Sequence, residues 1–237
     1  MEIEVVPPLR RSIVLCVLLG VLIFGWFRWR DLSSRRRLRD TPRPTINKQR
    51  VTFSNRTFDP ATPPADMPPL ASGENAECDS AFLSNVSVGG ESREADATHA
   101  TVTITQIKVT LQLNVTIWVP IRVTQHVIEH EEGHRQISEY YYQTADKVAE
   151  RIAATYMGRE VEITGTDLGA ESSKMLQQMA TEITDEYNKE LNPGPTQLLY
   201  DTITDHSRNG VVVEDAVAHA LKNATIESAP PAANPGN

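Results

Sequence analysis

From Thr101 the chain alternates polar and apolar side chains, first as TVTIT and then with Ile107, Val109, Leu111, Leu113, Val115, Ile117 and Val119 at every second position. A period of two marks a strand with one buried face, so this stretch reads as a hairpin or as one long bent strand ending at Pro120. Near Thr124 the period lengthens. Val127, Ile128, Ile137, Tyr141, Ala145, Val148, Ala149, Ile152 and Tyr156 recur at helical spacing up to Gly158, a residue suited to close a helix in the left-handed conformation. EVEIT predicts a further strand, and Leu168, Leu176, Met179, Ile183, Tyr187 and Leu191 predict a second amphipathic helix that NPGP stops. TQLLYDTITDHSRNG reads as irregular, and VEDAVAHAL as a short final helix. This order predicts an α+β domain: a small mixed or antiparallel sheet, one long helix and a second helix packed beside it.

Ahead of this domain, SIVLCVLLGVLIFGWF (12–27) carries no charge and is bracketed by Arg10 and Arg11 before it and by Arg28 and Arg30 after it. Its length suits a signal-peptide core or a minimal membrane span, and RWRDLSSRRRLRD behind it offers no small-residue cleavage site. We therefore expect an uncleaved, single-pass transmembrane anchor following a short tail (1–11). Residues 28–75, basic at first and then carrying Pro42, Pro44, Pro60, Pro63, Pro64, Pro68 and Pro69, read as a juxtamembrane linker that holds the domain (76–225) off the membrane. Residues 226–237 read as a disordered tail. Counting Arg on either side of the anchor leaves the domain in the cytoplasm, whereas the usual arrangement of a short inside tail exports it.

Composition narrows the functional classes. The 237 residues carry a net charge of −8, and beyond residue 40 the acidic residues number 27 against 15 basic ones. So acidic a domain is a poor match to nucleic acid, which is bound through clustered cations. Cys16 lies in the apolar segment and Cys78 beyond it, so no disulfide and no CxxC metal pair can form within the domain. A metal would have to be held by His and carboxylates. The Asn-x-Ser/Thr sites at Asn55, Asn85, Asn114 and Asn223 matter only in a eukaryotic secretory pathway.

Inside the predicted long helix stands HEEGH, an instance of His-Glu-x-x-His. His130 and His134 are one helical turn apart on one face, where two imidazoles can reach one zinc ion. Glu131 sits where a carboxylate can act as general base without ligating. The competing reading is a solvated charged face. His126 extends the stripe, but a ladder of three histidines spans more helix than one ion can bridge, so His126 and Glu132 read as bystanders; His99 and His219 read as structural. The third ligand is open between His206, in YDTITDH, and Glu182 or Glu186 on the second amphipathic helix. In the latter case His206 and Tyr200 would serve as donors to a tetrahedral oxyanion. The segment Leu113–Val119 is the candidate edge strand that could bind an extended substrate by strand addition.

The pairing of HEEGH with a later Tyr200-Asp201-x-x-Thr204-x-His206 resembles a bacterial family of secreted or periplasmic zinc-dependent proteases, predicted as such and catalogued as a domain of unknown function. The resemblance covers roughly residues 76–221, with Ser207 where the family has Gly. It implies a zincin-like fold, His206 as the third zinc ligand, Tyr200 as oxyanion stabiliser, Asp201 orienting a ligand imidazole, and export of the domain from the inner membrane to the periplasmic side. The expectation is thus a membrane-anchored zinc metallopeptidase acting on protein or peptide substrates. Its rivals are a non-catalytic anchored binding or scaffold module and a zinc hydrolase of a non-peptide amide bond in the cell envelope.

Overall fold

A computed structural model of the protein describes residues 42–70 and 73–227. The expected tail, the anchor at 12–27, the basic start of the linker and the C-terminal tail fall outside the described residues. Among the described residues no helix is long and apolar enough to cross a membrane.

The alternating run is one strand, β4 (His99–Pro120), and it is the axis of the sheet. Along one side it pairs antiparallel with β3 (Glu77–Asp96), joined to it by a tight turn. Along the other side it pairs in succession with β5 (Glu160–Thr164, antiparallel), β1 (Thr45–Lys48, parallel) and β2 (Thr52–Phe58, parallel). Its apolar side chains change phase between Ile104 and Ile107, which an unbroken strand would turn to opposite faces. A bulge absorbs the change. Gly89 pairs with Gln106 and Gly90 with Ile104, leaving Thr105 as the extra residue and keeping both runs on the core face. Gly90 is required there, since an added methyl would stand 2.8 Å from Val102 Cγ1 and 2.9 Å from the Thr103 carbonyl oxygen.

Two expectations about this region are corrected. Leu113–Val119 is not an edge, because β2 lies against Asn114–Pro120 on one side and β3 on the other. Residues 45–58 are not a tether. They form β1 and β2, and the compact unit starts at Arg43. Few of their side chains are buried, Phe58 being the exception, so the stretch lacks an apolar signature and is held instead by its ladder.

Helices cover the sheet. The predicted long helix is two, α1 (Gln125–Gln143) and α2 (Ala145–Ala154), broken at Thr144, whose φ of −101° and ψ of 1° leave the helical range. The break lets Tyr142 and Ala145 both enter the main core with Leu111 and Leu113. Gly158 ends the turn after α2 at φ 74° and donates its N–H to Ile104 O at 2.9 Å. Helix α3 (Leu168–Glu190) is capped by Asp167, which accepts from Ala170 N at 2.9 Å, and buries Met179, Ile183 and Tyr187 at i, i+4, i+8 spacing.

The stretch read as irregular is helical up to Thr204 and a turn beyond it. Its first part is α4 (Gly194–Thr204), with Pro195 in the first turn where its missing N–H costs nothing. Last comes α5 (Val213–Glu227), whose Val213, Ala216, Val217 and Ala220 form a second core with Ile137 of α1 and Tyr200 of α4. That second core fixes α4 against α1. The architecture is α+β around a mixed sheet.

Candidate metal centre

The site lies where α1 and α4 face each other. Helical spacing stacks His130 and His134 on one side of α1 and places Gln197 and Asp201 one turn apart on α4. His130 Nε2 and His134 Nε2 are 3.2 Å apart. Asp201 Oδ1 lies 2.8 Å from His134 Nε2 and 3.3 Å from His130 Nε2. These three groups could hold a metal ion. Ligand atoms on a tetrahedral ion with bonds of about 2.0–2.1 Å stand roughly 3.3 Å from one another, close to the spacing found. Asp201 Oδ1 is also a buried carboxylate oxygen without a hydrogen-bond donor among the described residues, the kind of orphaned atom that a cation satisfies.

The surroundings fix the tautomer of His134. Gln197 Nε2 donates to His134 O at 3.1 Å and to Ser138 Oγ at 3.0 Å. A carbonyl oxygen can only accept, so the amide nitrogen must face it, and Gln197 Oε1 therefore faces His134 Nδ1 at 2.5 Å. Nδ1 carries the proton and the Nε2 lone pair points to the shared point. Ser138 in turn donates to Ser80 Oγ at 2.9 Å, tying α1 to the start of β3. His130 is held differently, by its ring stacking on Tyr200 with centroids 5.0 Å apart and planes 19° apart.

Tyr200 is fully buried, and its hydroxyl donates to His130 O at 3.1 Å. That bond ties the Tyr200 hydroxyl, expected as an oxyanion donor, to the backbone of α1, where the ring also positions His130. His206 falls in a different group of candidate ligands from His130 and His134, one that it forms with Glu74 and Asp201. His206 Nδ1 contacts Glu74 Oε1 and lies 4.0 Å from Asp201 Oδ1, the same oxygen that meets the histidine pair. Helix α4 ends at Thr204, and Asp205, His206 and Ser207 follow in the left-handed region with φ of 46°, 51° and 62°.

Glu182 and Glu186 do not come near. Both are exposed on α3, Glu182 accepting from Gln178 Nε2 at 3.1 Å and Glu186 from the Tyr156 hydroxyl at 2.7 Å. Glu132 pairs with Arg135 on the outer face of α1, and His126 Nε2 lies 2.9 Å from Asn209 O, pinning the loop behind His206 to the helix. His99 pairs with Asp96 at an exposed turn, and His219 is exposed on α5.

Glu131 is buried with 3% exposure and lines a cavity of about 420 Å³ together with His134, Gln197 and Asp201. Burial is the main cause that pushes its carboxyl up to about 8, with His134 opposing and the carboxylates of Glu77, Glu74 and Asp201 adding to the rise. Such a group exchanges protons near neutrality, as a general base must. For Asp201, burial pulls upward, but His130 and His134 outweigh it and hold the carboxyl well below its usual range. His134 is raised in return: burial pulls it down and the Asp201 carboxylate more than offsets that. Five carboxylates line the cavity, from Glu74, Glu77, Asp79, Glu131 and Asp201, and no Lys or Arg does. The arrangement can bind a cation and place a base beside it. Compared with protein-family models, with curated proteins and with solved structures, the chain finds no match in any of the three.

Proposed function

We propose that the protein is a zinc-dependent hydrolase of peptide bonds, zincin-like in its fold, with His130, His134 and Asp201 holding the metal and Glu131 as general base. The observation that carries this reading is the convergence of two imidazole nitrogens and an otherwise unsatisfied carboxylate oxygen beside a buried, base-competent Glu131 at an open cavity. Zinc held there would supply Lewis acidity toward a substrate carbonyl and toward water. Glu131 takes the proton of the attacking water and returns it to the leaving amine, a role that its raised pKa supports. Gln197 keeps the His134 lone pair directed inward, and Tyr200 keeps the His130 ring in place.

A peptide substrate is favoured by the sheet edge. Residues Glu77–Ser80 of β3 border the cavity, and among the described residues their other side has no strand partner. An extended chain can add there by backbone hydrogen bonds. Attachment to the inner membrane through residues 12–27, with the domain on the periplasmic side, belongs to the same proposal and rests on the sequence and the family resemblance. The test is zinc analysis of the purified full chain beside Glu131→Gln. Zinc in both, with peptide hydrolysis lost in the variant, is expected; wild-type protein that takes up no zinc overturns the reading.

A further inference from the structure

The Asp201 carboxylate belongs to two groups of donor atoms. One includes the histidine pair. In the other, Glu74, Asp201 and His206 bring one donor atom each to within 4.8 Å of one another. These three come from separate segments: the loop ahead of β3, helix α4, and the left-handed turn after α4. His206 Nδ1, like Asp201 Oδ1, is a buried atom without a hydrogen-bond partner among the described residues, although it touches Glu74. One imidazole and two carboxylates form a donor set that first-row divalent cations accept.

Charge points the same way. The cavity lining holds five carboxyl groups, that of Asp79 exposed, and no Lys or Arg. Carboxylates gathered partly out of water with no basic partner favour a bound cation. Asp201 is common to the two donor sets, and a carboxylate can bind two ions at once.

We propose a second zinc site, built from Glu74, Asp201 and His206, which shares the Asp201 carboxylate with the His130 and His134 centre and makes the cavity a two-metal site. This rests on the reading of the first centre as a metal site. The pairing places His206 in metal binding after all, but at a different ion from the one His130 and His134 hold. Sites with two ions about 3.5–4 Å apart can clamp both the attacking and the leaving atoms of a hydrolysis, which a single ion cannot.

The full chain, stripped with a chelator, reloaded with Zn²⁺ and desalted, is assayed for zinc by atomic emission. Two equivalents per chain are expected, falling to one in His206→Ala and, independently, in the near-isosteric Glu74→Gln. Wild-type protein that holds one equivalent overturns the second site and leaves the first standing. No zinc at all removes both. Two equivalents that neither variant lowers also overturn the proposal, as does a loss of one equivalent in His99→Ala, which would put the extra ion on the exposed Asp96 and His99 pair.

Discussion

Gly133 and Tyr200 occupy the same space: a methyl group placed on Gly133 would stand 2.2 Å from the Tyr200 hydroxyl oxygen and 2.5 Å from the ring carbon that bears it. Glycine within a helix costs about 1 kcal/mol relative to alanine, so its presence in HEEGH needs a reason. The reason is that the Tyr200 ring passes over α1 at this residue to reach His130 O. Gly133→Ala gains helix propensity and loses that fit, and overpacking of this kind costs about 1–3 kcal/mol. The expected outcome in urea unfolding is a net loss of stability together with weaker zinc retention. A variant as stable as the wild type would mean that Tyr200 can move aside freely.

Tyr200→Phe separates the positioning role from the oxyanion role. Removing one buried hydrogen bond should cost about 0.5–1.5 kcal/mol in stability. Zinc content and kcat should remain near wild type, because the ring that stacks on His130 is retained. A hundredfold fall in kcat without a fall in stability would return the hydroxyl to the reaction, that being the scale of a lost oxyanion donor.

The parts legible in the sequence are those whose burial repeats. In β4 every second residue from Ile107 to Ile117 is buried, and the helical spacing from Val127 to Tyr156 follows the helices within one break. Strands β2 and β3 were hidden because most of their side chains are polar and part-exposed, as in TFSNRTF, where Phe58 alone is buried. Helix α4 was hidden by Pro193, Pro195 and residues of weak helix propensity, namely Thr196, Tyr200, Asp201 and Thr202. With the helix unseen, the face shared by Gln197 and Asp201 was unseen too, and His206 drew the ligand role for which the helix offers Asp201 beside the histidine pair. The i, i+4 spacing of Gln197 and Asp201 was the available signal.

Gln197→Ala should lower zinc affinity about 10- to 100-fold, the usual effect of losing the group that orients a ligating imidazole. Competition with a chromophoric chelator measures it. Glu182→Ala and Glu186→Ala should leave that affinity unchanged, since both carboxylates lie on the exposed side of α3. A tenfold loss in either would show that α3 reaches the metal.

Cys78 borders the same cavity, yet it should be a poor nucleophile. Burial chiefly, opposed by a contact with Ser80, pushes its thiol up to about 12 from an ordinary value of 9.0. Because the thiolate is the reactive form, three pKa units correspond to a thiolate population lower by about a thousandfold at pH 8. In a Cys16→Ser background, iodoacetamide should label the native chain far more slowly than the urea-unfolded chain. Equal rates would mean that Cys78 is open to water and that the start of β3 is not packed as described.

The stretch first read as a tether makes the widest prediction. Chains beginning at Arg43 keep β1 and β2; chains beginning at Ala76 lose both and uncover the β4 backbone from Asn114 to Pro120. They also lose buried Phe58, the Arg56 guanidinium lying 4.0 Å over the Trp118 ring, the Lys48–Asp146 ion pair at 2.8 Å, and Gln49 O, which lies 2.9 Å from the Tyr142 hydroxyl. Each contact ties the segment either to the sheet or to the helices that carry the site. An uncovered strand edge is a template for aggregation. The longer chain should therefore unfold cooperatively in urea, and the shorter one should scatter light at low concentration and show no sharp transition. Equal midpoints and equal solubility would restore residues 43–75 to the role of a linker.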